Sequence, residues 1–322
     1  MVKTPAVPTG SNATVVLDGA SAVVADPDYS QARVSMDVPK LAAAGTTVRV
    51  PVTFTNSTGA EVTAATATVT TATAGVTAEP VTFPTPIAPG ASATVQVPVK
   101  LAAGLKPQRI TLTAQADYTA GGSRYRTDVS AEFTVPYADL AQAYSNNGVT
   151  DAGSYSGGNL DGSGNSLAAE QLAAAGVQPG EPVAADGLQY TWPAVPPAAA
   201  DNVPAAGQTI SVSGSGNTLG LLGTGIGGNG AGGQVTLHYS DGTTSTGEAG
   251  YPNWCCTNTN PYDATLAATS KGRYTQQGLA NTTTDYKLFS STVHVAAGKE
   301  LVAVTLPGNS GMHVFAIAVG NT

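Results

Sequence analysis

Charge, cysteine, histidine and aromatic rings are all scarce in this 322-residue chain. Only 11% of its residues are charged and 6% aromatic, with 2 Cys, 2 Trp and 3 His, and each shortage excludes something. Two cysteines, adjacent at Cys255 and Cys256, cannot build a disulfide scaffold. His238, His294 and His313 lie too far apart for metal-ligand spacing. Basic residues are outnumbered, and the net charge of −8 argues against nucleic acid or anionic membrane as a partner. No stretch is long and apolar enough to span a bilayer. The opening Met1-Val-Lys-Thr-Pro lacks the apolar core of a signal peptide. The linker-like Thr4-Pro-Ala-Val-Pro-Thr-Gly-Ser beside it favours a piece of a longer exported protein, secreted or at the cell surface, over a cytosolic chain. No Gly-x-Ser-x-Gly elbow is present, so nothing points to an α/β-type serine hydrolase.

Glycine, proline and small β-formers are plentiful instead. With 38 Gly and 21 Pro beside abundant Thr, Val and Ala, the chain reads as many short strands and many turns. Its length favours two domains. Residues 1–32 read as a linker or the tail of a missing upstream domain, with one strand at Thr14-Val-Val-Leu17. From Arg33 the period is two. Val48, Val50, Val52 and Phe54 alternate with polar neighbours, as do Val95, Val97 and Val99, then Ile110, Leu112 and Ala114. Residues 33–136 are therefore expected to form an immunoglobulin-like β-sandwich.

Residues 137–322 show strands at 188–192, 208–212, 218–222, 234–239, 286–295, 301–306 and 313–319. The last is apolar on both faces and should be central. One helix is expected at Ala168-Ala-Glu-Gln-Leu-Ala-Ala-Ala175, capped by Ser166, with Glu170 bonding back and Gly176 stopping it. The predicted fold is all-β, with the immunoglobulin-like sandwich followed by a galactose-binding-like jelly roll holding one short helix. Gly223-Thr-Gly-Ile-Gly-Gly228 has dinucleotide-loop spacing, but the strand Gln234-Val-Thr-Leu-His-Tyr follows where a helix is required, so it reads as a hairpin.

Two family resemblances accompany these patterns. Val50-Pro-Val-Thr-Phe-Thr-Asn56, Ile87-Ala-Pro-Gly-Ala-Ser-Ala-Thr-Val95 and Thr111-Leu-Thr-Ala-Gln-Ala resemble the small sandwich associated with carbohydrate-binding modules in bacterial α-galactosidases. Asn159-Leu-Asp-Gly-Ser-Gly-Asn-Ser, Leu188-Gln-Tyr-Thr-Trp-Pro193, Asp201-Asn-Val and Leu306-Pro-Gly-Asn-Ser-Gly-Met-His-Val-Phe-Ala-Ile-Ala are similar to a C-terminal module of secreted actinobacterial glycoside hydrolases, α-mannosidase-type enzymes among them. The pair implies the accessory region of a glycosidase, its first module a spacer and an upstream catalytic domain its partner; the resemblance assigns the second module no ligand.

Three candidate sites follow from the residues. Tyr251, Asn253 and Trp254, with Arg273 and Tyr274, concentrate rings and polar donors in a Pro- and Asn-rich loop that suits a glycan or polysaccharide. The bland alternative is that Trp254 plugs the end of the sandwich. Asn159, Asp161, Ser163 and Asn165, with Glu170 further on, approach calcium-loop spacing, although these residues also suit plain turns. Cys255 and Cys256 are expected to pair as a vicinal disulfide if the chain is exported. Trp192 and His313 read as core residues. Loop acids, Asp151, Asp161, Asp201, Asp241, Glu248, Asp263 and Asp285, leave open a glycosidase in its own right, which requires two of them roughly 5–10 Å apart.

The expected function is a non-catalytic carbohydrate-binding accessory region of a secreted glycoside hydrolase. The alternative is a structural or adhesive cell-wall protein. A glycan array separates these two, and assay on aryl glycosides tests the enzyme.

Overall fold

A computed structural model describes residues 32–257 and 259–322, together with the backbone of a hairpin formed by β1 (Ala13–Leu17) and β2 (Ala20–Val24). That hairpin lies inside the segment read as a linker; the rest of 1–31 is outside the described residues. The chain divides between Val135 and Pro136 into two compact units.

The first unit is an immunoglobulin-like sandwich of antiparallel strands. They are β3 (Ala32–Met36), β4 (Thr47–Asn56), β5 (Val62–Thr70), β6 (Val76–Ala78), β7 (Val81–Thr82), β8 (Ser92–Leu101), β9 (Gln108–Ala120) and β10 (Ser123–Val135). One sheet runs β3-β4-β8-β6 and the other β10-β9-β5-β7. The period-two residues face inward: Val50, Val52 and Phe54 are fully buried, as are Ala67, Ile110 and Ala114 across the sandwich. Phe54 meets Tyr118 with ring centroids 5.0 Å apart. Buried Asn56 is satisfied, donating to the carbonyls of Ala60 and Ile87 while accepting from the Thr58 amide and hydroxyl. One amide side chain thus closes the turn between β4 and β5 and ties it to a distant loop.

The second unit is a jelly-roll sandwich. Its elements are β11 (Val149–Thr150), β12 (Ser166–Ala168), α1 (Ala169–Ala174), β13 (Pro182–Ala185), β14 (Leu188–Thr191), β15 (Val203–Pro204), β16 (Thr209–Ser211), β17 (Thr218–Gly225), β18 (Ala231–Tyr239), β19 (Thr244–Tyr251), β20 (Thr265–Thr275), β21 (Gly278–His294), β22 (Leu301–Thr305) and β23 (Met312–Gly320). A seven-stranded sheet, β11-β12-β20-β21-β17-β23-β15, packs on a four-stranded one, β16-β22-β18-β19. Between them lie Leu219, Leu221, Val235, Leu237, Val304 and Val314. A second core, with Leu172, Leu188, Tyr190, Trp192, Leu222, Tyr286 and Phe315, joins the seven-stranded sheet to α1 and the β13–β14 hairpin. Strands β17 and β23 are therefore covered on both sides, which explains the unbroken burial of β17 and the apolar run in β23. At Gly220 a Cβ would stand 2.1 Å from the Tyr190 hydroxyl, so the hairpin rests directly on bare backbone.

Helix α1 ends in a Schellman turn. The amides of Gly176 and Val177 donate to the carbonyls of Ala173 and Leu172, and Gly176 has φ of 85°. Its start differs from expectation. Ser166 is not the cap but a buried β12 residue, its hydroxyl 2.6 Å from that of Thr150, because parallel pairing with β11 takes the chain up to Ala168. The Gly223–Gly228 segment forms the end of β17 and the turn into β18, but it is not the expected hairpin: β17 pairs in the seven-stranded sheet and β18 in the four-stranded one, so the turn crosses from one sheet to the other.

Candidate functional site

Whereas Tyr251 lies in the core between the two sheets, Asp161, Glu170, Trp254, Arg273 and Tyr274 converge on one end of β20. Its pairing places Leu167 opposite Arg273 and Ser166 opposite Tyr274, which brings the 159–165 loop and α1 alongside. Successive strand residues point to opposite faces, and the contacts of Arg273 and Tyr274 fall into two separate groups.

Arg273 lies over two rings, its guanidinium carbon 5.9 Å from the centroids of both Trp254 and Tyr286. Its Nη1 is 3.8 Å from Asp161 Oδ2. Its Nε is buried without a partner among the described residues. Trp254 and Tyr286 meet edge-on at 4.7 Å. This geometry corrects the glycan platform expected at Tyr251 and Trp254. Tyr251 is 0% exposed and Trp254 3%, so neither ring offers a face to a sugar. The reason is that the loop is pinned: Trp254 N donates to Gly225 O, Lys287 N donates to Trp254 O, and Asn253 Nδ2 donates to Gly227 O. Tyr251 lies against Gly223, where a Cβ would come within 2.7 Å of its ring. The flanking Pro and Asn residues thus serve loop geometry while the rings fill the core.

The surroundings of the other two sites are also defined. Asp161 Oδ1 accepts from the amides of Ser163 and Asn165, its Oδ2 from Asn165 Nδ2, and Asn159 Oδ1 from the Gly164 amide. These oxygens close the turn from inside, while Glu170 Oε1 accepts from the Ala152 amide and the Tyr274 hydroxyl. Among the described residues no group of three His, Cys, Asp or Glu is placed to hold a metal. Cys255 and Cys256 are free thiols rather than a disulfide, because Cys255 packs inward beside Trp254 while Cys256 faces solvent. Burial, reinforced by the neighbouring Cys256 thiol, pushes Cys255 up to about 12.

Tyr274 is buried, and burial followed by the adjacent Glu170 carboxylate raises its phenol pKa. Stacked on it is Tyr155, with centroids 5.7 Å apart and planes at 13°. Tyr155 remains only partly buried. Beside it Asp151 accepts from Ser154 Oγ and the Gly153 amide, and the Ser154 hydrogen bond leads in holding its carboxyl below the usual range. A ring supported by Tyr274, which also has the Asp151 and Glu170 carboxylates as neighbours, can take the C–H face of a sugar and has hydroxyl acceptors nearby. Sequence reasoning missed Tyr155. The available signal was one aromatic flanked by Ser and Gly, in Gly153-Ser-Tyr-Ser-Gly-Gly158.

Asp201, read as a loop acid, is 4% exposed. It accepts from the amides of Gly148 and Val149 and from Asn202, and burial lifts its pKa to about 6. Asn202 Oδ1 lies 2.8 Å from Nδ1 of buried His313, whose pKa burial lowers to about 4. Trp192 is core, stacked on Phe315 at 4.8 Å.

The family model of the AziU2-like beta-sandwich domain matches residues 136–322, more than half of the chain. No curated protein matches. Solved structures similar to the chain include AvmM, which catalyses macrocyclization in alchivemycin A biosynthesis, at 11% identity over 39% of this chain and 96% of that one, TM-score 0.27. Others are the secreted serine protease VesC from Vibrio cholerae (13% identity, 89% of this chain and 49% of that one, TM-score 0.31) and native α-2-macroglobulin from Escherichia coli, from domain MG7 to its C-terminus (13%, 60% and 23%, TM-score 0.27). TM-scores this low support no inference about activity.

Proposed function

We propose that the chain, which belongs through residues 136–322 to the AziU2-like β-sandwich domain family, is the glycan-binding accessory region of a secreted glycoside hydrolase. In this reading the first sandwich is a spacer and the second contacts polysaccharide for an upstream catalytic domain. The observation that carries the binding role is Tyr155, a partly exposed ring stacked on Tyr274, which has Asp151 and Glu170 as its charged neighbours. Sugar recognition needs this combination of an apolar face and hydroxyl acceptors, and a ring already held by a second ring loses little freedom on binding. One stacking ring is worth about 0.5–1.5 kcal/mol, so binding should be weak and depend on repeated units along a polymer.

Affinity electrophoresis in gels carrying a panel of neutral polysaccharides tests this. At least one polymer should retard the chain, and Tyr155→Ala should weaken that retention up to roughly tenfold without altering the melting curve. Unretarded migration in every gel, or retention indifferent to Tyr155, overturns the reading. The parent enzyme is tested separately, by whether the coding region upstream specifies a glycosidase domain.

A further inference from the structure

A groove opens elsewhere on the second unit. Open to solvent on one side, it has a volume of about 270 Å³ where the edge of the sandwich core opens between β16 and β23. Val212, Ile317 and Val319, partly buried residues packed against the core, line it. Asp139, Thr191, Ser211 and Ser213 line it as well. The hydroxyls of Thr191, Ser211 and Ser213 make no hydrogen bond among the described residues. Asp139 uses Oδ1 to accept from the Gln142 amide, and its carboxylate has further acceptor capacity.

The wall over this floor is fixed before any ligand arrives. Residues Ala141–Ala143 form one 3₁₀ turn. Tyr144, directly after it, donates from its hydroxyl to Phe315 O at 2.8 Å. Upstream, Tyr137 and β16 exchange backbone bonds, Tyr137 N to Thr209 O and Ser211 N to Tyr137 O. The segment is thus held to both β16 and β23, so occupancy costs little ordering.

We propose that this groove binds a single neutral polyhydroxylated ring of hexopyranose size. The volume lies just under the roughly 300–1,000 Å³ of drug-sized pockets, which suits one ring and not an oligosaccharide. An aliphatic floor matches the C–H face of such a ring, and three free hydroxyls with a carboxylate match its several hydroxyl groups. The carboxylate of Asp139 disfavours an anionic sugar. The inference rests on the glycan reading only for the choice of ligand class; its residues are separate from Tyr155.

Amide chemical shifts of the full chain, titrated singly with D-glucose, D-galactose, D-mannose and D-glucuronate, test it. At least one neutral hexose should saturably shift the amides of 211–213 and 317–319, while glucuronate should not. Ser213→Trp, which fills the mouth from an exposed position, should abolish the response at an unchanged melting temperature. Tyr155→Ala should leave it intact. Shifts absent with all three neutral hexoses, surviving Ser213→Trp, or equally strong with glucuronate would overturn the proposal. Retention on polysaccharide gels by the Ser213→Trp chain reports on the Tyr155 site independently, so each reading can fail alone.

Discussion

Replacing Trp254 by alanine distinguishes a core residue from a sugar platform. The indole is 3% exposed, meets Tyr286 edge-on at 4.7 Å and lies under the Arg273 guanidinium. Truncating a buried Trp costs about 3–5 kcal/mol in lost burial and residual cavity. Arg273 would in addition lose one of its two ring contacts, while its Nε is already unpartnered. For a domain of this size each kcal/mol moves the melting temperature by about 2–4 °C, so the transition of the second unit should fall by roughly 10 °C. Because domains are stable by only about 5–15 kcal/mol, a good part of that margin would be gone. Differential scanning calorimetry measures the shift, with Trp254→Phe as the control that keeps a ring and should recover most of it. A melting temperature within a few degrees of wild type, together with weakened glycan retention, would refute the core assignment and restore Trp254 as a binding surface.

Two further outcomes are expected. Asp201 and His313 should oppose each other with pH. Raised to about 6, Asp201 contributes stability that is full below its ordinary pKa and lost as pH rises through 6, whereas His313, lowered to about 4, contributes stability present above its ordinary pKa and lost as pH falls through 4. Each shift is worth about 3 kcal/mol, so wild-type stability should change little from these groups between pH 4 and 6, while His313→Gln should lose stability with rising pH and Asp201→Asn should gain it; parallel pH–melting curves for all three would refute the pairing. Asp161→Ala removes the acceptor for two loop amides and the partner of Arg273, and it should lower the melting temperature equally with and without chelator. A calcium-dependent stabilisation that disappears in this variant would instead make the 159–165 loop a metal site.

Most of the first sandwich was legible in the sequence because its rule is local. Alternation of Val50, Val52 and Phe54 with polar neighbours places a strand with one face inward, whatever its partner. The two-sided burial of β23 was legible for the same reason, from an apolar run without alternation. Strands β19 and β20 were not, since Thr, Ser, Gly and Lys along them give no clean period; their pairing with neighbours holds them in place. The sites show the same divide. Residue types announced Trp254, Arg273 and Asp161 as unusual, but whether a ring faces solvent or core depends on backbone bonds from Gly225 and Lys287, distant in sequence. Tyr155 is stacked on Tyr274 only because β12 pairs with β20 and sets Tyr274 beneath it. The groove joins Asp139, Ser211 and Ile317, which no sequence window contains. Composition and period therefore settled the architecture, and long-range strand pairing decided which side chains meet and which remain open to a ligand.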